Sequence, residues 1–325
     1  MRYQTLGESQ IKVSAAALGT WGIGGGTAWR PVEDRQAIRL IHRARELGVN
    51  LIDTAPVYGT GHSEELVGKA LQGRRGDYVL ATKCAMQWRD ERGQRMYVRD
   101  GKTVYRCFAP DSLAADLEDS LRRLGTDYID LYIIHRQPDD PREVAQLMET
   151  LKSFQREGKI REIGISNASP DYLLEYLRHG RIALVQEKFS LLDQRAAEEY
   201  LPLCREKGVV FQGYSALERG LLTGTVRPGA QMEEAARNLP WMQPQRQEAV
   251  LQLLEGWKPL CKKYACSLPC LVLAATFAIG KPLNLLIGAR RTTNLEDSLR
   301  AVDLEPESAD LDQMRCDCAA LQNLL

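Results

Sequence analysis

The 325-residue chain is 44% hydrophobic and 26% charged, the composition of an ordinary globular protein able to bury a large core. Its 43 Lys and Arg balance 43 Asp and Glu, so no global field draws nucleic acid or an anionic membrane, and any charged partner must be met locally. No stretch approaches the roughly 20 apolar residues of a membrane span, and the start Met1-Arg2-Tyr3-Gln4-Thr5 lacks the apolar centre of a signal peptide, so a cytoplasmic protein is expected.

In chain order, residues 3–13 read as a short hairpin, and Ala16-Ala17-Leu18 as the first strand of a larger array. Ile38, Ile41 and Leu47 lie at helical spacing and stop at Gly48, after which Leu51-Ile52 is a short apolar strand. Val79-Leu80-Ala81 follows as a third strand. A helix with the stripe Leu113, Leu117, Leu121 and Leu124 ends at Gly125, a natural C-cap. Further strands are predicted at Ile129 to Ile134, Ile163 to Ile165, Leu184-Val185, Val209 to Phe211 and Leu285 to Ile287. Helices are predicted at 141–157, 170–179 with Ser169 as N-cap and Pro170 at the first position, 195–206, 247–280 in two pieces, and 292–301. A last helix spans 306–323. Eight strands with helical crossovers and no linker or repeat predict one domain over 1–325, a closed (β/α)8 TIM barrel of the α/β class with an N-terminal hairpin and an extra C-terminal helix. The eight scattered cysteines, among them Cys261, Cys266, Cys270, Cys316 and Cys318, have no paired arms or nearby histidines, so reduced thiols and no metal are expected.

In such a barrel the site is built at the C-terminal strand ends. Asp53 follows Leu51-Ile52, Lys83 follows the third strand, and His135 follows Ile133-Ile134. Ser166-Asn167, Gln186, Tyr214 and Gly288-Ala289-Arg290 close later strands, and Tyr58 lies in the loop after the second. Singly, each has a bland reading: a capping Asp, a loop aromatic, a solvated Lys, a structural His. Together, a buried Lys beside a Tyr favours the phenolate, an Asp holds the Lys charged, and the His can orient a carbonyl. The four suit protonation of an oxygen that gains negative charge. Gly24-Gly25-Gly26 lacks a following Lys-Ser/Thr and reads as a flexible loop, and Cys84 as a small wall residue.

The segments Ile52 to Glu64, Ala81-Thr82-Lys83, Gly164-Ile165-Ser166-Asn167 and Tyr214 to Leu222 resemble the aldo-keto reductase superfamily, and the likeness covers essentially the whole chain, nearest to its bacterial methylglyoxal reductase and general stress-protein types. The resemblance implies reduction of aldehydes or ketones by hydride from a nicotinamide cofactor. Tyr58 would be the proton donor, Lys83 and Asp53 would lower its pKa, and His135 would position the carbonyl. Ser166, Asn167 and Gln186 would bind the nicotinamide carboxamide, although Glu187 departs from the commoner Gln-Asn pairing. Tyr214 would stack on the ring, and Leu217 to Leu222, with Ser215, Gly220 and Leu222 among the contacts, would cover the pyrophosphate. Gly288, Arg290, Asn294 and Asp297 would surround the adenosine end, and Gly19, Thr20 and Trp21 would line the cleft. NADPH is placed ahead of NADH, because Arg290 and Arg291 suit a 2′-phosphate, although Asn294 stands where a basic residue is common and Asp297 fits either ribose.

The segment Gln87 to Phe108 is longer than the usual connection and, from Trp88 to Arg106, carries Arg89, Arg92, Arg95, Arg99, Lys102 and Arg106 against Asp90, Glu91 and Asp100. It is read as a lid or pocket wall for a polar or anionic carbonyl substrate, with a solvated loop as the alternative. Trp21, Trp88 and Trp241 are candidate aromatic walls beside Tyr58 and His135. A redox-sensing regulatory subunit that holds NADP(H) with little turnover is the competing class; a lyase or hydrolase lacks its constellation. With no heptad seam or apolar stripe, a monomer acting on small molecules is expected.

Overall fold

The computed structural model describes residues 1–227, 233–237 and 239–322. The chain begins with β1 (Tyr3–Thr5) and β2 (Lys12–Ser14), an antiparallel hairpin. The barrel strands β3 (Ala16–Gly19), β4 (Leu51–Asp53) and β5 (Val79–Cys84) follow, with α1 (Asp34–Glu46) and α2 (His62–Leu71) between them. Next come β6 (Met86–Gln87), β7 (Gln94–Arg99) and β8 (Lys102–Arg106), a small antiparallel sheet of their own, and α3 (Pro110–Leu124). The barrel resumes with β9 (Ile129–Ile134), α4 (Glu143–Arg156), β10 (Ile160–Ser166), α5 (Pro170–His179), β11 (Leu184–Lys188), α6 (Arg195–Lys207) and β12 (Val210–Tyr214). The chain ends with α7 (Glu234–Arg237), α8 (Pro244–Gly256), α9 (Lys258–Lys263), α10 (Leu268–Phe277), β13 (Leu283–Gly288), α11 (Thr292–Leu299) and α12 (Ser308–Gln322).

The eight parallel strands close in chain order, β13 pairing back onto β3 through Leu285–Ala16, Leu286–Ala17, Ile287–Leu18 and Gly288–Gly19. Each strand buries both faces, which is why each reads as a continuous apolar run and not as an alternating one. The outer face packs on helix stripes such as Ala37, Leu40, Ile41 and Ala44 of α1 and Leu113, Leu117, Leu121 and Leu124 of α3. α3 ends at Gly125, whose φ of 62° supplies the left-handed cap, and α5 begins where the Ser169 hydroxyl accepts from the Tyr172 amide. Inside, Ala17, Leu51, Ala81, Leu131, Ile133 and Leu184 fill the lower barrel. Leu6 and Val13 of the hairpin join them, so the hairpin stoppers the bottom.

Three expectations need correction. The 247–280 region makes three helices, α8 to α10, because Pro259 and the Tyr264–Ser267 turn interrupt it; α11 stops at Leu299 before a short 3-10 turn. The segment 87–108 is no irregular loop: β7 and β8 form a hairpin that turns at Asp100 and Gly101, both with positive φ, and β6 pairs alongside. The eight cysteines are free, five of them buried. Among the described residues, no single helix is long and apolar enough to cross a membrane, and no cluster of His, Cys, Asp and Glu suits a metal ion.

At the lower end of β9, the buried Asp130 carboxylate accepts from Arg75 Nη2 at 2.7 Å, Arg161 Nη1 at 2.9 Å and the Leu80 amide at 2.9 Å. It ties β5 and β10 to β9 by charge-assisted bonds. Asp130→Ala strands the buried Leu80 amide and removes the one carboxylate that Arg75 pairs with among the described residues. We expect a loss of about 3 kcal/mol, read as a lower urea midpoint.

Candidate active site

The upper ends of the strands open into a cavity of about 710 Å³, within the usual range for small-ligand sites. At one side stand the four strand-end groups. Lys83, on β5, is buried completely, and its ammonium donates to Asp53 Oδ1 at 2.6 Å, the Thr54 carbonyl at 2.9 Å and Tyr58 Oη at 3.2 Å. All three ammonium protons are placed. The other oxygen of Asp53 accepts from Gln186 Nε2 at 2.9 Å.

Tyr58 reaches the Lys because its loop folds back over the end of β4. Gly59 permits this with a φ of 59°, and a Cβ there would sit 2.0 Å from the Gly24 carbonyl oxygen, so the loop after β3 passes directly over it. Gly24 to Gly26, read above as a flexible loop, is thereby held in place: Gly24 lies on Tyr58, and the Thr27 amide donates to Asp100 at the hairpin tip at 2.6 Å. His135 leaves β9 edge-on to Tyr58, the ring centroids 6.1 Å apart. Its Nδ1 is buried without a partner.

Burial sets the protonation states. It pushes the Tyr58 phenol well above its usual 10, and the negative charge of Asp53 adds to this, against Arg136 and Arg99. Desolvation thus works against the lowering expected from the Lys-Asp pair, and Tyr58 holds its proton. Burial likewise draws Lys83 below its usual 10.5, opposed by Asp53. The His135 imidazole falls well below 6.5 through burial, with Lys83, Arg136 and Arg99 acting in the same direction, and so is neutral near pH 7. A phenol and a neutral imidazole therefore face one wall of the cavity.

Next to them, Asn167 sits at a φ of 55°, which Asn tolerates, and its amide is fixed at both ends. Nδ2 donates to the His135 carbonyl at 3.0 Å and to Ser166 Oγ at 2.9 Å, while Tyr214 Oη donates to Oδ1 at 2.7 Å. Below, Gln186 donates to Gln212 at 2.5 Å, Gln212 to Asn284 at 2.7 Å, and Asn284 to the Ser14 carbonyl at 2.7 Å. This ladder of amides carries the polar site down through an otherwise apolar barrel. Glu187, beside Gln186, accepts from the Ala168 amide at 2.7 Å, and burial raises its carboxyl from 4.5 to about 7.

The far end of the cavity is lined by Gly288, Arg290, Asn294, Asp297 and Ser298. Arg290 is held by Glu233 through bonds of 2.9 and 3.2 Å, and Glu233 also accepts from the Arg30 amide. The Ala235 amide donates to the Ala28 carbonyl, and Arg219 donates to the Ala235 carbonyl. Residues 233–237 thus bridge the rim from the loop after β3 to the ends of β12 and β13.

Of the residues singled out in the sequence, Gly19, Trp21, Asp53, Tyr58, His135, Ser166, Asn167, Gln186, Tyr214, Ser215, Leu217, Gly220, Gly288, Arg290, Asn294 and Asp297 line the cavity. Four others do not. Thr20 is buried behind the wall, donating to the Asp53 carbonyl and accepting from Ser63. Leu222 and Trp241 lie in a separate apolar cluster with Val250 and Leu254. Trp88 packs behind the wall in the cluster of Ala55, Val57, Met86 and Val104, with Lys102 and Arg123 over its ring. Sequence reasoning did not single out Trp29, Tyr97, Arg136 and Arg219, and it counted Arg99 only as part of a charged stretch; all five line the cavity. Arg136 had a signal in its place directly after His135. Glu233 had none.

The model of the Aldo/keto reductase family matches residues 16–315. An Escherichia coli protein named NADH-specific methylglyoxal reductase is 39% identical over 327 residues, covering 99% of this chain and all of the relative. An aldo-keto reductase of Bacillus subtilis is 36% identical over 69% of the chain and 64% of its own length. Among solved structures, a glycerol dehydrogenase of Gluconobacter oxydans superposes with a TM-score of 0.86 at 31% identity, over 98% of this chain and 95% of that one. A holo-form aldo-keto reductase of Bacillus halodurans gives 0.76 at 29%, over 98% and 96%.

For Glu187, a pKa raised on folding means that its stabilising contribution is complete below about 4.5 and is lost as pH rises through about 7. Glu187→Gln keeps the acceptor and removes the titration. Its melting temperature should gain on the natural chain between pH 5 and pH 8; a constant difference would show that the carboxyl does not titrate there.

Proposed function

Because the chain belongs to the aldo/keto reductase family and is thereby an NAD(P)H-dependent oxidoreductase, we propose that it reduces small aldehydes, dicarbonyls such as methylglyoxal, or keto-sugars, with Tyr58 as proton donor. The observation that carries this reading is the Lys83 ammonium bonded at once to Asp53, Thr54 and Tyr58. A carbonyl oxygen set between Tyr58 Oη and the His135 ring meets a protonated phenol and a neutral imidazole, and both can donate. As negative charge grows on that oxygen the Tyr58 proton moves to it, and Lys83, already bonded to the phenol oxygen, meets the phenolate left behind.

The cavity suits a dinucleotide. It is long enough to join the Ser166–Asn167–Gln186 amides to Asn294, and it holds a buried, unpartnered Nε on Arg219. When bound, the cofactor supplies the hydride. Ser166, Asn167 and Gln186 would hold its carboxamide, Tyr214 its ring, Arg219 with Leu217 and Gly220 its phosphates, and Gly288, Asn294 and Asp297 its adenosine end. NADH is favoured over NADPH, reversing the order drawn from sequence. Arg290 is already matched by Glu233, Asn294 is neutral, and Asp297 adds negative charge beside them on the cavity wall.

Tyr58→Phe should lower turnover of methylglyoxal by roughly 100-fold or more while NADH still binds, followed by loss of reduced-cofactor absorbance and by fluorescence titration. Equal turnover by the variant would remove Tyr58 from the reaction, and tight NADH binding without turnover by the natural chain would favour a redox sensor. Glu233→Ala frees Arg290 and should raise kcat/KM for NADPH relative to NADH by about tenfold; an unmoved ratio would show that Glu233 does not set the preference.

A further inference from the structure

The hairpin segment contains several arginines in different settings. Arg89 pairs with Asp116 at 2.7 Å, Arg92 with Asp111 at 2.5 Å and Arg106 with Asp139 at 2.6 Å, while Arg95 is exposed and lies outside the cavity. Arg99, at the end of β7, lines the cavity and has no carboxylate partner among the described residues; it lies 4.9 Å from the Tyr97 ring centroid, with its Nε buried and unbonded. Arg136, directly after His135, lines the same wall, is exposed to it, and is likewise without an ion pair among the described residues. Of the nearby acids, Asp139 holds Arg106, Glu187 accepts from the Ala168 amide, and Asp100 accepts from the Thr27 amide through Oδ1 while its Oδ2 makes no hydrogen bond among the described residues. Both guanidinium groups are close enough to Tyr58 and His135 to act on their charge states. Arg219 also lines the cavity, but it is bonded to Ala235 and stacked over Trp21, on the side assigned above to the cofactor phosphates.

Two guanidinium groups without ion pairs, both acting on Tyr58 and His135, leave positive charge at the wall where the proton donors stand. An anion there is attracted, and the planar fork of each suits carboxylate or phosphate oxygens. We infer that Arg99 and Arg136 form an anion subsite that selects carbonyl substrates bearing a carboxylate or a phosphate a few bonds from the reacting carbon. The inference rests on the reductase reading above and adds the substrate class to it. Its geometry also gives the hairpin a role: the Thr27–Asp100 bond fixes the tip that carries Arg99 to the loop after β3.

The test compares matched aldehydes with and without the anion: 4-oxobutanoate against butanal, and glyceraldehyde 3-phosphate against glyceraldehyde, each with NADH. We expect kcat/KM to favour the charged member of at least one pair by about tenfold, and the choice of pair tells carboxylate from phosphate. Arg99→Gln and Arg136→Gln should each lower that charged-to-neutral ratio by about tenfold, chiefly through KM, while Arg99→Lys, which keeps the charge, retains much of it. A ratio near one in the natural chain, or variants that depress both members of a pair alike, overturns the subsite. If all four aldehydes are inert the reductase reading fails by itself. The subsite is then judged by quenching of cavity tryptophan fluorescence with succinate and with inorganic phosphate: saturable in the natural chain and lost in the Gln variants, or else overturned.

Discussion

The Lys83 ammonium is a full charge held where no water reaches, and the top of the barrel is arranged around keeping it satisfied. A buried cation without partners would cost several kcal/mol, so each of its protons must find an oxygen. It finds three, from Asp53, Thr54 and Tyr58, and these fix the end of β4 and the first turn of the loop beyond it. Asp53 then needs a donor for its second oxygen, which Gln186 provides, and Gln186 leans on Gln212, which leans on Asn284. One charge thus propagates into a polar column crossing β11, β12 and β13 to the Ser14 carbonyl near the barrel floor. A column of this kind stabilises only when every member is bonded, which explains why a barrel otherwise filled with Val, Ile and Leu gives up interior space to amides.

The same burial decides what the wall can do. Desolvation keeps Tyr58 protonated and His135 uncharged, so two hydrogen-bond donors face the cavity with positive charge behind them and beside them. Such an environment disfavours anionic protein groups and favours an anion arriving from outside. The carboxylates that line the cavity are either bonded to Lys83, as Asp53 is, or lie toward its other end, as Asp297 does on α11.

How much of this was legible in the sequence follows from what each inference required. Asp53, Lys83 and His135 were visible because each directly ends an apolar strand, and the barrel rule gives that position meaning. Tyr58 was visible through its loop. The hairpin was missed although Asp100-Gly101 is a strong turn signal, because its strands carry charge on both faces and no apolar alternation announces them. Trp88 and Trp241 were misplaced for a related reason: an aromatic ring suits a ligand wall and a core equally, and only packing separates them. The difference between Arg99 and Arg92, seven residues apart, lies wholly in which of them meets an aspartate from α3. The bridge by Glu233 depends on a contact between distant parts of the chain, and no local pattern encodes it.

That bridge separates two kinds of constraint. Residues 233–237 touch the loop after β3 at Ala28 and Arg30, and the other rim segments at Arg219 and Arg290, through a few bonds near the surface. None of these bonds involves Asp53, Tyr58, Lys83 or His135, whose own bonds are made at the strand ends. The joining of the rim can therefore change by substitution at Glu233 or Arg219 while the buried cluster beneath keeps every partner.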